Sequence, residues 1–107
     1  MVCVVFIFME LKEVMNAIEK YIGVVIMRRF PELIRFAVRT SRSGRRIPDH
    51  IIDKHPEGTK FHLIDVTFYF DEMENKRRDD LYESVKNMTR YLSLPERFNV
   101  RHYLEHN

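Results

Sequence analysis

Apolar side chains crowd most densely into residues 60–70, KFHLIDVTFYF, where nearly every position is β-branched, aromatic or aliphatic. That run, with His55-Pro56-Glu57-Gly58 in front and an acidic stretch behind, predicts a strand. A period of two puts His62, Ile64, Val66, Phe68 and Phe70 on one face and Phe61, Leu63, Asp65, Thr67 and Tyr69 on the other. Both faces carry apolar bulk, so the strand is expected in the middle of a sheet.

The period changes on either side of this strand. The opening run, MVCVVFIF, is apolar throughout and predicts a buried strand. It lacks a basic leader, and Glu10 and Lys12 interrupt it well short of the roughly 18 residues a membrane span needs. An internal start at Met9 would remove it. From Met9 onward, Leu11, Val14, Met15, Ile18, Ile22 and Val25 recur at three- and four-residue spacing, which predicts an amphipathic helix. Gly23 is one place for that helix to end. The other is the stop before Pro31, because a single internal glycine costs only about 1 kcal/mol.

The following LIRFAVRTSR fits two patterns. As a helix opened by Pro31 it buries Phe30, Leu33, Ile34, Ala37 and Val38. As a strand it places Ile34, Phe36, Val38 and Thr40 on one face and Arg35, Ala37, Arg39 and Ser41 on the other. The strand is preferred, because the strand at 60–70 needs antiparallel neighbours and an isolated two-stranded ribbon is marginal.

A long connection, SRSGRRIPDHIIDKHPEGT, separates the two strands, with one helical turn fitting residues 48–53. Beyond Phe70, Asp71 and Glu74 have capping-box spacing for a second helix. Leu81, Val85, Met88 and Leu92 give that helix its apolar stripe, up to the stop at Pro95. In the tail, a last strand turns Phe98, Val100 and His102 inward and Asn99, Arg101 and Tyr103 outward. A short helix there would instead bring His102 and His106 to one face.

In order, the elements are strand, helix, strand, strand, helix, strand. They predict a single α+β domain over residues 1–107, a ferredoxin-like βαββαβ sandwich with two helices on one face of a four-stranded antiparallel sheet.

Composition narrows this further. The 107 residues, 45% hydrophobic and 32% charged, are enough for one domain with its own core. The net charge of +2 hides a division, because residues 28–46 hold seven arginines against Glu32 alone. That asymmetry points to an anionic partner, with a solvated surface of snorkelling side chains as the competing account. Cys3, the only cysteine, excludes an intrachain disulfide and suits a reducing, cytoplasmic setting, where it serves as a small core residue. The chain has neither Gln nor Trp, a composition that suits a thermophile.

Catalytic apparatus is not evident. Three isolated glycines cannot form a phosphate-binding loop, and no serine elbow is present. His102 and His106 have the spacing of a helical metal pair, but they lie near the chain end without a neighbouring glutamate, so no metal site is assigned. His62 and Asp65 on the central strand, with Tyr82 on the following helix, suggest metal-assisted attack on a phosphodiester. The second histidine such a strand needs is missing, because the sequence reads His62-Leu63-Ile64, and Tyr82 adjoins the apolar stripe.

The leading expectation is a small nucleic-acid-binding protein that grips DNA or RNA through a basic strand and loop, residues 35–60. Arg35, Arg39, Arg42, Arg45, Arg46, Lys54 and Lys60 would contact phosphates, and Tyr69 is the aromatic best placed for an exposed sheet face. No cofactor, catalytic residue or membrane enters this account. The alternative is a protein-interaction or self-assembling regulatory protein, whose apolar run Val2 to Phe8 pairs with another copy in a homodimer or with a host target. A metal-dependent phosphodiester-processing enzyme stands third.

Overall fold

A computed structural model of the chain describes residues 10–41, 62–95 and 97–107. The strand expected at residues 1–8 and the connection 42–61 fall outside these.

The first helix, α1, occupies residues 11–29 and changes pitch on the way. It is α-helical over Leu11–Tyr21, π-helical over Ile22–Ile26 and α-helical again over Met27–Arg29. Its buried side chains, Val14, Ile18, Ile22, Ile26 and Phe30, are spaced by four throughout. An unbroken α-helix turns about 100° per residue, so relative to Ile18 it would put Val25 at about −20°, Ile26 at about 80° and Phe30 at about 120°. The wider π turn, in which the Met27 N–H donates to the Ile22 carbonyl, takes up that drift. Ile26 and Phe30 therefore stay on the core face, and Val25, expected in the stripe, is 39% exposed. Gly23 does not end the helix. A Cβ there would meet nothing within 4 Å.

Strand β1 spans Leu33–Ser41, as the strand reading of that segment expects, with Phe36 and Val38 packed against the core. A register irregularity between Leu33 and Arg35 shifts the pattern at its start, burying Leu33 and leaving Ile34 46% exposed. Strand β2, His62–Phe70, pairs antiparallel with β1 and sends Ile64, Val66, Phe68 and Phe70 into the core.

Helices α2 (Asn75–Lys86) and α3 (Met88–Tyr91) follow. The capping box expected from Asp71 is not formed: the N-cap is Glu74, and no side chain caps it. Leu81, Val85 and Met88 form the buried stripe, with Leu92 packed against it. The helical segment ends in a Schellman motif. Ser93, at φ 50°, is left-handed; its N–H donates to Arg90 O at 3.3 Å and the Leu94 N–H to Thr89 O at 3.1 Å.

Strand β3, Phe98–His106, pairs with β2 in parallel over nine residue pairs, from His62 opposite Phe98 to Phe70 opposite His106. Here the expected architecture is overturned. Among the described residues the sheet has three strands in the order β1-β2-β3 and is mixed. In a ferredoxin-like sandwich another strand separates the two that are joined by the second crossover. Here those two, β2 and β3, are hydrogen-bonded directly, so no strand lies between them. Parallel neighbours require a crossover, which α2 and α3 supply. The α+β class stands; the four-stranded antiparallel ferredoxin-like sheet does not.

Helix α1 and the α2–α3 pair cover the same face of the sheet and run antiparallel. Tyr21 stacks on Tyr91 at 6.4 Å between ring centres, while at the other end Arg77 of α2 reaches the C-terminal end of α1. Arg77 donates through Nε and Nη2 to the two carboxylate oxygens of Glu32, at 2.7 and 3.0 Å, and through Nη2 to Arg29 O at 2.8 Å. That fork holds the Glu32 carboxyl below its ordinary pKa. No helix among the described residues is long and apolar enough to cross a membrane.

Candidate nucleic-acid interface

The other face of the sheet is left uncovered by α1, α2 and α3. Strand register arranges its side chains in rows across the strands, and three of these rows carry the charges and aromatic rings of the face. Arg35, Tyr69 and Glu105 form one; Ala37, Thr67 and Tyr103 form the next; Arg39, Asp65 and Arg101 form the third. Each row is two residues from the next, about 6.6–6.8 Å along the strands.

In the first row the Arg35 guanidinium carbon lies 3.7 Å from the centre of the Tyr69 ring, a stacked cation–π pair made across β1 and β2. The middle row is low on the β1 and β2 side, where Ala37 faces Thr67, and rises at Tyr103, which is 43% exposed. In the third row Arg101 Nε donates to Asp65 Oδ1 at 2.8 Å, and that bond raises the Arg101 pKa further above its ordinary value. Arg39 stands in register on the other side of the same aspartate. The face therefore carries three guanidinium groups against two carboxylates, Asp65 and Glu105, with two tyrosines among them.

Of the residues expected to bind, Arg35, Arg39 and Tyr69 come together here. Arg42, Arg45, Arg46, Lys54 and Lys60 lie outside the described residues. The arginines that look like one cluster in the sequence separate in space, because Arg28 and Arg29 end α1 on the helical side, with Arg29 over the Phe30 ring at 5.6 Å. Tyr103 and Arg101 were readable as outward-facing, but their place beside Thr67 and Asp65 depends on the parallel register. No sequence signal gives that register.

The histidines are arranged differently from either helical or catalytic expectation. His102 and His106 lie on β3 rather than on a helix, four residues apart, which is about 13 Å along a strand and too far to share an ion. Among the described residues no three His, Cys, Asp or Glu side chains converge as a metal site would require. His62 stacks on Phe98 at 5.1 Å, whereas Tyr82 meets His102 at 4.8 Å, so the tyrosine and the strand histidine have separate aromatic partners. His102 Nε2 is buried without a hydrogen-bond partner among the described residues, and burial pushes its pKa below the ordinary histidine value.

The chain matches no family model, no curated protein and no solved structure.

Proposed function

We propose that the protein binds nucleic acid through the sheet face opposite α1, α2 and α3, with the basic segment 42–60 as a second phosphate-gripping element. The observation that carries this reading is the set of three rows: Arg35 and Arg39 project from β1 on the same side as Tyr69, Tyr103 and Arg101. Positive charge together with the partly exposed Tyr69 ring and the exposed Tyr103 ring on one face suits a polyanion that also has flat bases. The helical side of the molecule is mixed in charge, with Asp71, Glu72, Glu74, Asp79 and Glu83 exposed beside Lys12, Lys20, Arg28, Arg29, Lys76, Lys86 and Arg90.

The test is a salt titration of binding. Affinity should fall steeply as salt rises, with a logarithmic slope of roughly −0.7 per phosphate neutralised on a single strand and −0.9 on a duplex. Arg35→Ala with Arg39→Ala should weaken binding and flatten the slope, and Arg42→Ala, Arg45→Ala and Arg46→Ala together should do the same. Unchanged affinity in the first pair removes the sheet face from the account; unchanged affinity in the triple variant removes the loop.

A second reading, self-association, draws on the outer surface of the helical layer. Tyr91 is 70% exposed and Val24 56% exposed. Light scattering across a concentration series tests it, and a monomer at high concentration would rule it out.

A further inference from the structure

The sheet face differs from a simple phosphate grip in one respect. A surface that only neutralises phosphates needs cations, and rings placed among those cations add nothing to the Coulomb attraction. Here Tyr69 and Tyr103 stand in adjacent rows and on adjacent strands, diagonal to one another, with Thr67 in register with Tyr103 and in the same strand as Tyr69. Ala37, opposite Thr67, keeps the middle of the face low, so a flat group can approach both rings.

The Arg35 guanidinium is already stacked at 3.7 Å on Tyr69, a planar cation on a planar ring. A base that joins this pair extends an existing stack rather than ordering two free side chains, which lowers the entropic cost of binding. At the far row Arg39 and Arg101 flank Asp65, leaving a net positive row where a phosphate can lie. Bases in a duplex are stacked on one another and offer only their edges, and a sheet face of this breadth does not enter a groove as a helix or a two-stranded ribbon does.

We infer that the partner of this face is a single-stranded nucleic acid whose unpaired bases stack on the Arg35–Tyr69 pair and on Tyr103 while its backbone passes the Arg39–Asp65–Arg101 row. This rests on the nucleic-acid reading above and specifies what that reading leaves open. The net positive charge of the face selects the anionic partner; the partly exposed Tyr69 ring and the exposed Tyr103 ring select the unpaired strand.

The experiment compares four probes of equal length on the intact protein at one salt concentration: single-stranded DNA, single-stranded RNA, duplex DNA, and an abasic strand that keeps every phosphate and has no bases. The chain has five tyrosines and no tryptophan, so quenching of tyrosine emission gives a second, direct readout of stacking. Either or both of the base-bearing single strands should bind at least about 10-fold more tightly than the abasic strand and the duplex, with quenching, given the usual contribution of base–aromatic stacking. Tyr69→Ala and Tyr103→Ala should each remove much of that margin while thermal melts show both still folded at the assay temperature, and Tyr69→Phe should keep it.

Equal binding of the abasic and base-bearing strands, with Tyr69→Ala and Tyr103→Ala without effect, would overturn the stacking inference and leave the phosphate grip standing. Preference for the duplex would overturn it as well. No binding of any probe at low salt would overturn the nucleic-acid reading itself.

Discussion

Tyr82 of α2 and His102 of β3 meet with their rings 4.8 Å apart and tilted by 59°, so the helix closes over a half-buried imidazole. The sequence suggests other partners for both residues, and the actual contact has a consequence for stability.

Burial lowers the pKa of His102, so the folded chain resists a proton that the unfolded chain accepts at about pH 6.5. The contribution is complete above the unfolded value and is lost as pH falls from about 6.5 through the lower folded value. Urea midpoints measured at pH 7.5 and pH 5 should therefore drop more for the parent than for His102→Asn. An identical drop in both proteins would mean that the imidazole titrates as it does in the unfolded chain.

The π turn makes a prediction that an unbroken helix reverses. Ile26→Ala should cost about 2–5 kcal/mol, as removal of a fully buried side chain does, and Val25→Ala about 0.5 kcal/mol or less. Chemical denaturation of the two variants decides the phase of the helix. The larger loss at Val25 would place the regular α-helical stripe through residues 22–29 instead.

Ser93 holds the left-handed position of the Schellman motif at φ 50°. Glycine adopts that conformation without the Cβ penalty, and its own loss of freedom on folding offsets part of the gain, so Ser93→Gly should stabilise by about 0.5–1 kcal/mol. Ser93→Val should destabilise. A thermal melt of the pair tests the geometry, and a lower midpoint for Ser93→Gly than for the parent would contradict it.

Arg77 ties α2 to Glu32 and to the carbonyl end of α1 while lying over the Phe30 ring at 4.6 Å. Arg77→Lys keeps the charge but not the planar fork, so its urea midpoint should fall nearly as far as that of Arg77→Ala. Full retention in the lysine variant would show that charge alone matters there.

The elements were more legible in the sequence than their assembly. Strong local patterns set β2 and α2: alternation around Ile64, Val66 and Phe68, and the stripe Leu81, Val85 and Met88, both of which the core contains. The ambiguous segment beginning at Leu33 resolves as a strand because Phe36 and Val38 find cross-strand partners in Phe68 and Val66. What local pattern does not carry is strand neighbourhood. Nothing in Phe98 to His106 records that its partner is β2, in parallel, and the four-stranded arrangement failed on that point. The same limit applies at the candidate site. Arg35, Arg39 and Tyr69 were readable as outward-facing basic and aromatic residues, but Tyr103 joins them only through the parallel register. Val25 and Ile26 exchange roles because the pitch of α1 changes at its π turn, which the apolar spacing alone does not signal.

The most direct measurement of the central claim is binding of the purified protein to labelled single- and double-stranded DNA and RNA at two salt concentrations, with light scattering on the same sample. The account predicts micromolar or tighter binding to single strands that weakens markedly at the higher salt. No binding at low salt, together with a stable oligomer, would contradict it and leave the arginines of the sheet face as solvated surface.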